Sequence, residues 1–279
     1  MNMRHFWYQY FIKHSRPCPA EDYGQISGRS RIYYILWGLA VFFALWIIGG
    51  YLIFSRPDFK QFAGFEPLPT CKAFINLLGD RQFWGSVLAS LRRIGVGIGI
   101  AFIIGMPSGL FIGYYRKLQL ASYTPIQFIR MISPLSWMPI ALLIFPSFET
   151  AIYFLITMAT VWPIMLNTTM GVSRVNRQWL HMARIQGADS KAIIRRIILP
   201  ASIPYILTSL RLALGVAWIV LVPVEFLGVS SGLGYLINDA RDTMEYDRLM
   251  AIVMAIGIIG FLLDGSIQLL RRLFRWHWI

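Results

Sequence analysis

Charged residues are scarce in this sequence. Asp, Glu, Lys and Arg together form 14% of its 279 residues, whereas hydrophobic residues form 57%. A soluble domain carries about a quarter charged residues, and the mean hydropathy here is correspondingly high at +0.57. This composition excludes a soluble globular protein. It predicts an all-α integral membrane protein, because a helix satisfies its own backbone hydrogen bonds in lipid.

Cysteine and histidine are also rare, with two Cys and four His. Cys18 and Cys71 lack metal-ligand spacing, and the topology below puts them on opposite sides of the membrane, so we expect neither a disulfide nor a metal site. No Gly-x-x-x-x-Gly-Lys-Ser/Thr phosphate loop occurs. Residues 228–232 match the Gly-x-Ser-x-Gly hydrolase motif, but they follow an apolar helix and not a strand, which indicates a turn. We therefore expect no enzyme activity and no cofactor in this chain.

Apolar runs long enough to cross a bilayer are abundant. A hydrocarbon core of about 30 Å needs roughly 20 residues of helix. Six runs of this order predict six transmembrane helices, at 32–54, 94–115, 131–148, 150–173, 197–224 and 249–270. The first run begins too late and is too long for a cleaved signal peptide, so it predicts a retained anchor.

The net charge of +13 comes from short Lys and Arg clusters between these runs. If both termini are cytoplasmic, the inner segments hold sixteen Lys and Arg and the outer segments eight, which agrees with the positive-inside rule. Arg92 and Arg93 then fall in an outer loop. Arg211, Glu225 and Asp264 lie near span ends, where long side chains can reach water. Clusters of this kind set topology, and we expect no binding to nucleic acid.

A basic stretch at 177–200, hereafter the hinge segment, interrupts the apolar blocks. Apolar positions alternate there with cations such as Arg184, which predicts two short amphipathic helices. Gly187 is suited to a tight turn between them, and Pro200 predicts a helix end at Leu199. The alternative is an amphipathic loop that lies on the lipid surface.

A second unusual stretch is the proline-broken segment, residues 132–139, with the sequence Ile-Ser-Pro-Leu-Ser-Trp-Met-Pro. Prolines within a span are tolerated where neighbouring helices or a cavity satisfy the freed backbone groups. The segment is therefore either a packing feature or the lining of a translocation pathway. The candidate pathway residues are Ser133, Ser136, Trp137 and Glu225. Arg130, just before the segment, either attracts an anionic solute or anchors the cytoplasmic end of the third span.

The second span carries glycines at intervals that include Gly-x-x-x-Gly, which indicates close helix packing in lipid. These are Gly95, Gly97, Gly99, Gly105, Gly109 and Gly113.

The hinge segment resembles the cytoplasmic loop of permease subunits of binding-protein-dependent ABC importers. The pattern of that family runs Glu-Ala-Ala, three residues, Gly, then an Ile-rich stretch that ends in Leu-Pro. Gly187 and Leu199-Pro200 keep the family spacing, whereas His181-Met-Ala183 departs from Glu-Ala-Ala. The resemblance implies a coupling helix that docks into an ATPase subunit. The residues that it assigns to this coupling are Ala183, Gly187, Ala188, Ile193, Leu199 and Pro200.

The resemblance covers residues 83–273, which it implies to be a five-helix permease core of the type I importer kind. Residues 32–54 would be an additional first helix, 55–82 an outer loop, and 1–31 and 274–279 cytoplasmic tails. The stretches 132–141 and 225–237 resemble the branch of the family that handles nitrate, sulfonates, taurine and bicarbonate.

The resemblance also implies partners and a mechanism. A homodimer in the bacterial inner membrane would bind two cytoplasmic ATPase subunits, which hold ATP and Mg, and a periplasmic or lipid-anchored binding protein would deliver a small, anionic solute. Import would proceed by alternating access. Two alternatives remain open: an ion-coupled secondary transporter, which needs buried titratable groups near the midplane, and a membrane assembly protein, which needs no docking segment.

Overall fold

The computed structural model describes residues 28–54 and 57–275, and every regular element in these two ranges is helical. It divides into two compact units, one that ends at Pro67 and one that begins at Leu68. Residues 1–27 and 276–279, with Cys18 and most of both predicted tails, lie outside the described ranges.

The first unit contains one long helix, α1 (Gly28–Phe54), followed by a 3₁₀ helix at Pro57–Phe65. The indole N–H of Trp46 donates to the carbonyl of Phe65 at 3.2 Å, and the ring of Phe54 packs 6.0 Å from that of Phe65. These contacts fold the 3₁₀ helix back on the end of α1. The predicted first span is confirmed as one apolar helix over Tyr33–Phe54.

The remaining helices are joined by short connections. They are α2 (Pro67–Gly79), α3 (Arg81–Tyr114), α4 (Arg116–Met131), α5 (Met138–Ile144), α6 (Phe148–Ser173), α7 (Arg177–Ile185), α8 (Ser190–Ile193), α9 (Leu199–Gly228), α10 (Leu233–Asp242) and α11 (Tyr246–Arg275). A 3₁₀ turn (Pro134–Trp137) precedes α5, and a π-helical turn (Ile194–Ile198) joins α8 to α9.

The described residues contain five helices that are long and apolar enough to cross a membrane, and a sixth if one bent pair counts as a single span. This bent pair is α4 with Pro134–Ile144, and its halves meet at 80°. The break predicted at Pro134 and Pro139 is confirmed, whereas the predicted bounds 131–148 are wrong, because the bent pair runs from Arg116 to Ile144. Pro134 and Pro139 lack the N–H groups that would continue the helix, and the chain turns between α4 and α5.

The second span begins earlier than its hydropathy predicts. Helix α3 starts at Arg81, where the carboxylate of Asp80 accepts a hydrogen bond from the Gln82 N–H at 2.9 Å and caps the helix. Arg92 and Arg93 therefore lie within α3 and not in an outer loop, which corrects that prediction. The apolar run was predicted to begin only at Ile94 because a hydropathy reading treats every Arg as exposed, whereas Arg93 is 2% exposed.

Helix α6 forms the centre of the second unit and packs against both α3 and α9. Its apolar side chains interlock with those of the two neighbours at positions spaced by one helical turn, as an α-helical core requires. The principal members of this cluster are Ile94, Ile152, Leu155, Ile156, Ala217 and Leu221.

Four of the six glycines of the predicted pattern in α3 lie against α6: Gly97, Gly105, Gly109 and Gly113. A Cβ at Gly97 would lie 2.5 Å from Ile156, and a Cβ at Gly109 would lie 2.5 Å from the carbonyl oxygen of Met165. The hydroxyl of Thr169 donates to the Gly109 carbonyl at 3.1 Å. Close packing of small residues is the expected way to join helices in lipid. The predicted packing role therefore holds for the glycines on this face.

We predict that Gly109→Val destabilises the protein by about 1–3 kcal/mol, since overpacking forces the two helices apart. Gly99 is the matched control, because a Cβ there meets nothing within 4 Å. Thermal unfolding in one detergent would measure both variants. Equal falls in unfolding temperature for Gly109→Val and Gly99→Val would show that the close approach of α3 and α6 does not determine the stability of the protein.

Candidate functional site

The hinge segment folds as two short helices around a left-handed turn. Helix α7 is capped by Asn176, whose side-chain oxygen accepts from the Gln178 N–H at 2.9 Å. It ends where Gly187 adopts a φ of +77°, and the Ala188 N–H closes the turn on the Ala183 carbonyl at 2.9 Å. This is the hydrogen bonding of a helix that terminates at a glycine. The turn predicted at Gly187 is confirmed.

After the turn, the backbone does not stop at Leu199 as predicted. Asp189 caps α8 by accepting from the Ser190 N–H at 2.7 Å, and the helix then continues through the π-helical turn into α9. The Leu199 N–H donates to the Ile194 carbonyl, five residues back. This wider turn accommodates Pro200, which cannot donate to the carbonyl four residues before it. A helix end at Leu199 is therefore a wrong prediction.

One face of the hinge segment is fastened to the ends of the membrane helices. Ile193 and Ile198 are buried and form a cluster with Val172 of α6. The other side chains that pack against this cluster come from α3 and α7 and from the turn: Leu110, Tyr114, Leu180, Ala183, Ala188 and Ile194. Displacement of the hinge segment would therefore move the ends of α3 and α6 with it.

The opposite face is open and largely apolar. Ile185 is 86% exposed, and Trp179 and Met182 are more than half exposed. Beside them a groove of about 620 Å³ runs between α7 and the start of α9. Its lining residues are Trp179, Met182, Ala183, Gln186, Arg196, Ile197, Pro200, Ala201 and Pro204. Exposed apolar side chains beside a cation are typical of a surface that binds another protein.

The predicted coupling residues occupy different parts of this site. Ile193 is a buried anchor, Ala183 and Ala188 are half-buried, and Gly187 lies exposed in the turn. Leu199 and Pro200 begin α9, and Pro200 lines the groove. The sequence analysis missed Trp179 and Met182, although their spacing of three residues on an amphipathic helix could have indicated a shared face.

The proline-broken segment forms one wall of a cavity of about 290 Å³. Of the predicted pathway residues, only Trp137 lines it, together with Arg130 and Trp162. Ser133 and Ser136 are exposed at the bend but are not among the residues that line the cavity. The remaining lining residues are apolar: Ile129, Ile132, Pro134, Met158, Ala159, Pro163 and Val216.

Glu225 belongs to a different site, a buried ion network centred on Arg93. The Arg93 guanidinium donates to the carboxylate of Glu225 at 2.7 Å and to the carbonyl of Ser231 at 2.7 Å. It also forms an ion pair with Glu149, at the start of α6. Arg93 thus joins α3, α6, α9 and the turn before α10 in one cluster.

The carboxylate of Glu225 is fully enclosed, with 0% exposure. It accepts further hydrogen bonds from the Ser90 hydroxyl at 2.8 Å and from the Gly234 N–H at 3.0 Å. The prediction that Glu225 reaches water from the end of its span is therefore wrong. Arg93 and these hydrogen-bond donors surround its carboxylate in place of solvent. A role of Glu225 in the translocation pathway stays a prediction.

Within the part of the chain that the structure describes, no group of three or more His, Cys, Asp and Glu could hold a metal ion.

Residues 98–276 match the family described as binding-protein-dependent transport system inner membrane component. The bicarbonate transport system permease protein CmpB of Synechococcus elongatus is 36% identical over 69% of this chain and 70% of its own length. The nitrate import permease protein NrtB of Synechocystis sp. is 33% identical over 74% of this chain and 75% of its own length. A probable ABC transporter permease protein of Brucella abortus is 32% identical over 82% of this chain and 92% of its own length.

Among solved structures, the helices superpose on a chain of the MetNI methionine ABC transporter in an inward-facing conformation. The TM-score is 0.58 at 16% identity, over 68% of this chain and 94% of that one. At this identity the likeness shows a shared arrangement of helices.

Proposed function

We propose that this chain imports a small anion. The premise is that it belongs to the family of inner membrane components of binding-protein-dependent transport systems and is a permease subunit of an ABC importer. The predicted family and its nitrate and bicarbonate branch are confirmed by relatives named for those two solutes. A planar oxyanion of this kind is the favoured cargo, with sulfonates and taurine as further candidates of the same branch.

The observation that carries the proposal of ATP-driven import is that the hinge segment has one open face and one face packed on the membrane helices. Its open face offers Trp179, Met182 and Ile185 to a cytoplasmic ATPase, which would supply the ATP and Mg site that this sequence lacks. Its other face holds Ile193 and Ile198 against the ends of α3 and α6. A docked ATPase would therefore act on the membrane helices directly.

Two copies of the permease would enclose the pathway. Helix α4 has no buried residue in the single chain, and the large side chains of Leu143 and Ile144 in α5 are exposed. A second copy could cover such surfaces. Closure of the ATPase pair on ATP would then move both hinge segments and rock the helices between outward- and inward-facing states. A binding protein would deliver the anion from outside, with both permease termini on the cytoplasmic side.

The direct test is uptake into vesicles that contain the permease with its ATPase, with ATP inside and the binding protein outside. We expect ATP-dependent uptake of bicarbonate or nitrate that requires the binding protein. Uptake driven by an ion gradient without ATP would favour the secondary transporter. Absence of ATP-dependent uptake across bicarbonate, nitrate, sulfonates and taurine would refute the proposed cargo.

We predict that Ile185→Asp weakens ATPase docking strongly. Ile185 is 86% exposed, so the substitution should leave the fold intact, yet it would place a charge in an apolar contact at a cost of about 2 kcal/mol or more. Copurification of the ATPase with the permease would measure the loss, with Ile185→Leu as the matched apolar control. Equal ATPase recovery with Asp and Leu would remove Ile185 from the interface.

A further inference from the structure

Helices α3, α4 and α9 carry four arginines beyond their first turns, and two of these, Arg92 and Arg130, form no ion pair with another described residue. Arg93 pairs with Glu149 and Glu225, and Arg211 donates to Asp264 at 2.9 Å. Arg130 forms no ion pair or hydrogen bond with any other described residue. Its charge is therefore available to a ligand, unlike those of Arg93 and Arg211, and Arg130 lines the cavity at the bend, which Arg92 does not.

Arg130 also lies at the bend of the broken span. It is in the last turn of α4, and α4 and Pro134–Ile144 meet at 80° just after it. A charged side chain within a membrane segment faces a water-filled path or another polar group, because exposure to lipid is costly.

The space beside Arg130 suits an anion. The cavity of about 290 Å³ that it lines has no carboxylate among its lining residues, and most of its wall is apolar. Arg130 is exposed and is the one charged residue among the described residues of the cavity wall, so it can attract an anion without competition from a carboxylate. Trp137 and Trp162 also line the cavity, and the polar group of a tryptophan side chain can only donate a hydrogen bond.

We propose that Arg130 is the anion-recognising residue of the pathway, and that the cavity at the bend between α4 and α5 is a transient site for a planar oxyanion monoanion. The guanidinium fork matches two coplanar oxygens of bicarbonate or nitrate. A zwitterion or a cation gains less from this site. The inference rests on the proposed function and specifies which residue selects the charge of the cargo.

The first test compares Arg130→Gln and Arg130→Lys in the vesicle assay, with nitrate and bicarbonate as probes. Loss of a charge-assisted hydrogen bond predicts a fall in uptake of about tenfold or more for Gln, and a smaller fall for Lys, which keeps the charge without the fork. Lys117→Gln removes one charge from the same helix and should transport normally. Uptake by Arg130→Gln at the Lys117→Gln rate would overturn the inference while leaving the importer intact.

A second test does not depend on the cargo. Met158, a half-buried residue of the cavity wall, is changed to Cys in a Cys18→Ser, Cys71→Ser background, and its modification by anionic and cationic methanethiosulfonates is timed. Arg130 should favour the anionic reagent, and Arg130→Gln should lower the anionic-to-cationic rate ratio by about tenfold, as expected for removal of one nearby charge. An unchanged ratio would overturn the inference. If the ratio falls while no anion is imported, the cavity attracts anions and the proposed cargo alone is wrong.

Discussion

Gly187→Val is expected to abolish solute uptake and to reduce assembly with the ATPase severely. Gly187 has a φ of +77°, and a Cβ there meets nothing within 4 Å. The penalty is therefore conformational and not steric: a left-handed backbone costs roughly 1–2 kcal/mol for an ordinary residue, and more for a β-branched one. The turn would open and separate α7 from Ile193. Uptake rate and ATPase copurification in the same preparation measure the effect.

Asparagine provides the control for this explanation, because it tolerates the left-handed region far better than valine does. We expect uptake to fall in the order Gly187, Asn, Ala, Val. Expression and unfolding temperature should change less than uptake, since Gly187 is exposed and lies outside the cluster that joins α3, α6 and α9. If Asn and Val impaired uptake equally, the left-handed turn would not be what the ATPase requires.

The parts of this protein that a sequence reveals are those with a local cause. Hydropathy located the long apolar helices because each residue contributes to a span by its own transfer energy. Gly187 was predictable as a turn because a positive φ is a property of one residue. The groove face escaped detection because the exposure of Trp179 and Met182 depends on how α7 packs on α3 and α6.

The errors share a different cause: each depends on a partner that is distant in sequence. Arg93 and Glu225 are 132 residues apart, so a window of 20 residues treats the first as a loop residue and the second as a span end. Pro200 ends a helix only if no wider turn is available, and the π-helical turn at Ile194–Ile198 supplies one. The same reasoning separates Arg130, which has no ion-pair partner among the described residues, from Arg93, which has two.

The Arg93 network predicts the largest loss of stability in the molecule. Glu225→Ala should destabilise the protein by about 3–5 kcal/mol, because it leaves the buried guanidinium without one of its two carboxylates and leaves the Gly234 N–H unpaired. Glu149→Ala should cost less. Glu149 binds the same guanidinium but is 48% exposed, so water can enter where its carboxylate was. Unfolding temperatures in one detergent, at one protein concentration, measure both variants.

A double variant separates the charge effect from the loss of packing. Arg93→Met with Glu225→Gln keeps comparable volumes and removes both buried charges. A buried pair replaced as a unit is often close to neutral in stability, whereas a broken pair is not. We therefore expect the double variant to be more stable than either Arg93→Met or Glu225→Gln alone, although Glu149 must then be solvated. Additive losses in the double variant would mean that shape, not charge pairing, holds α3, α6 and α9 together.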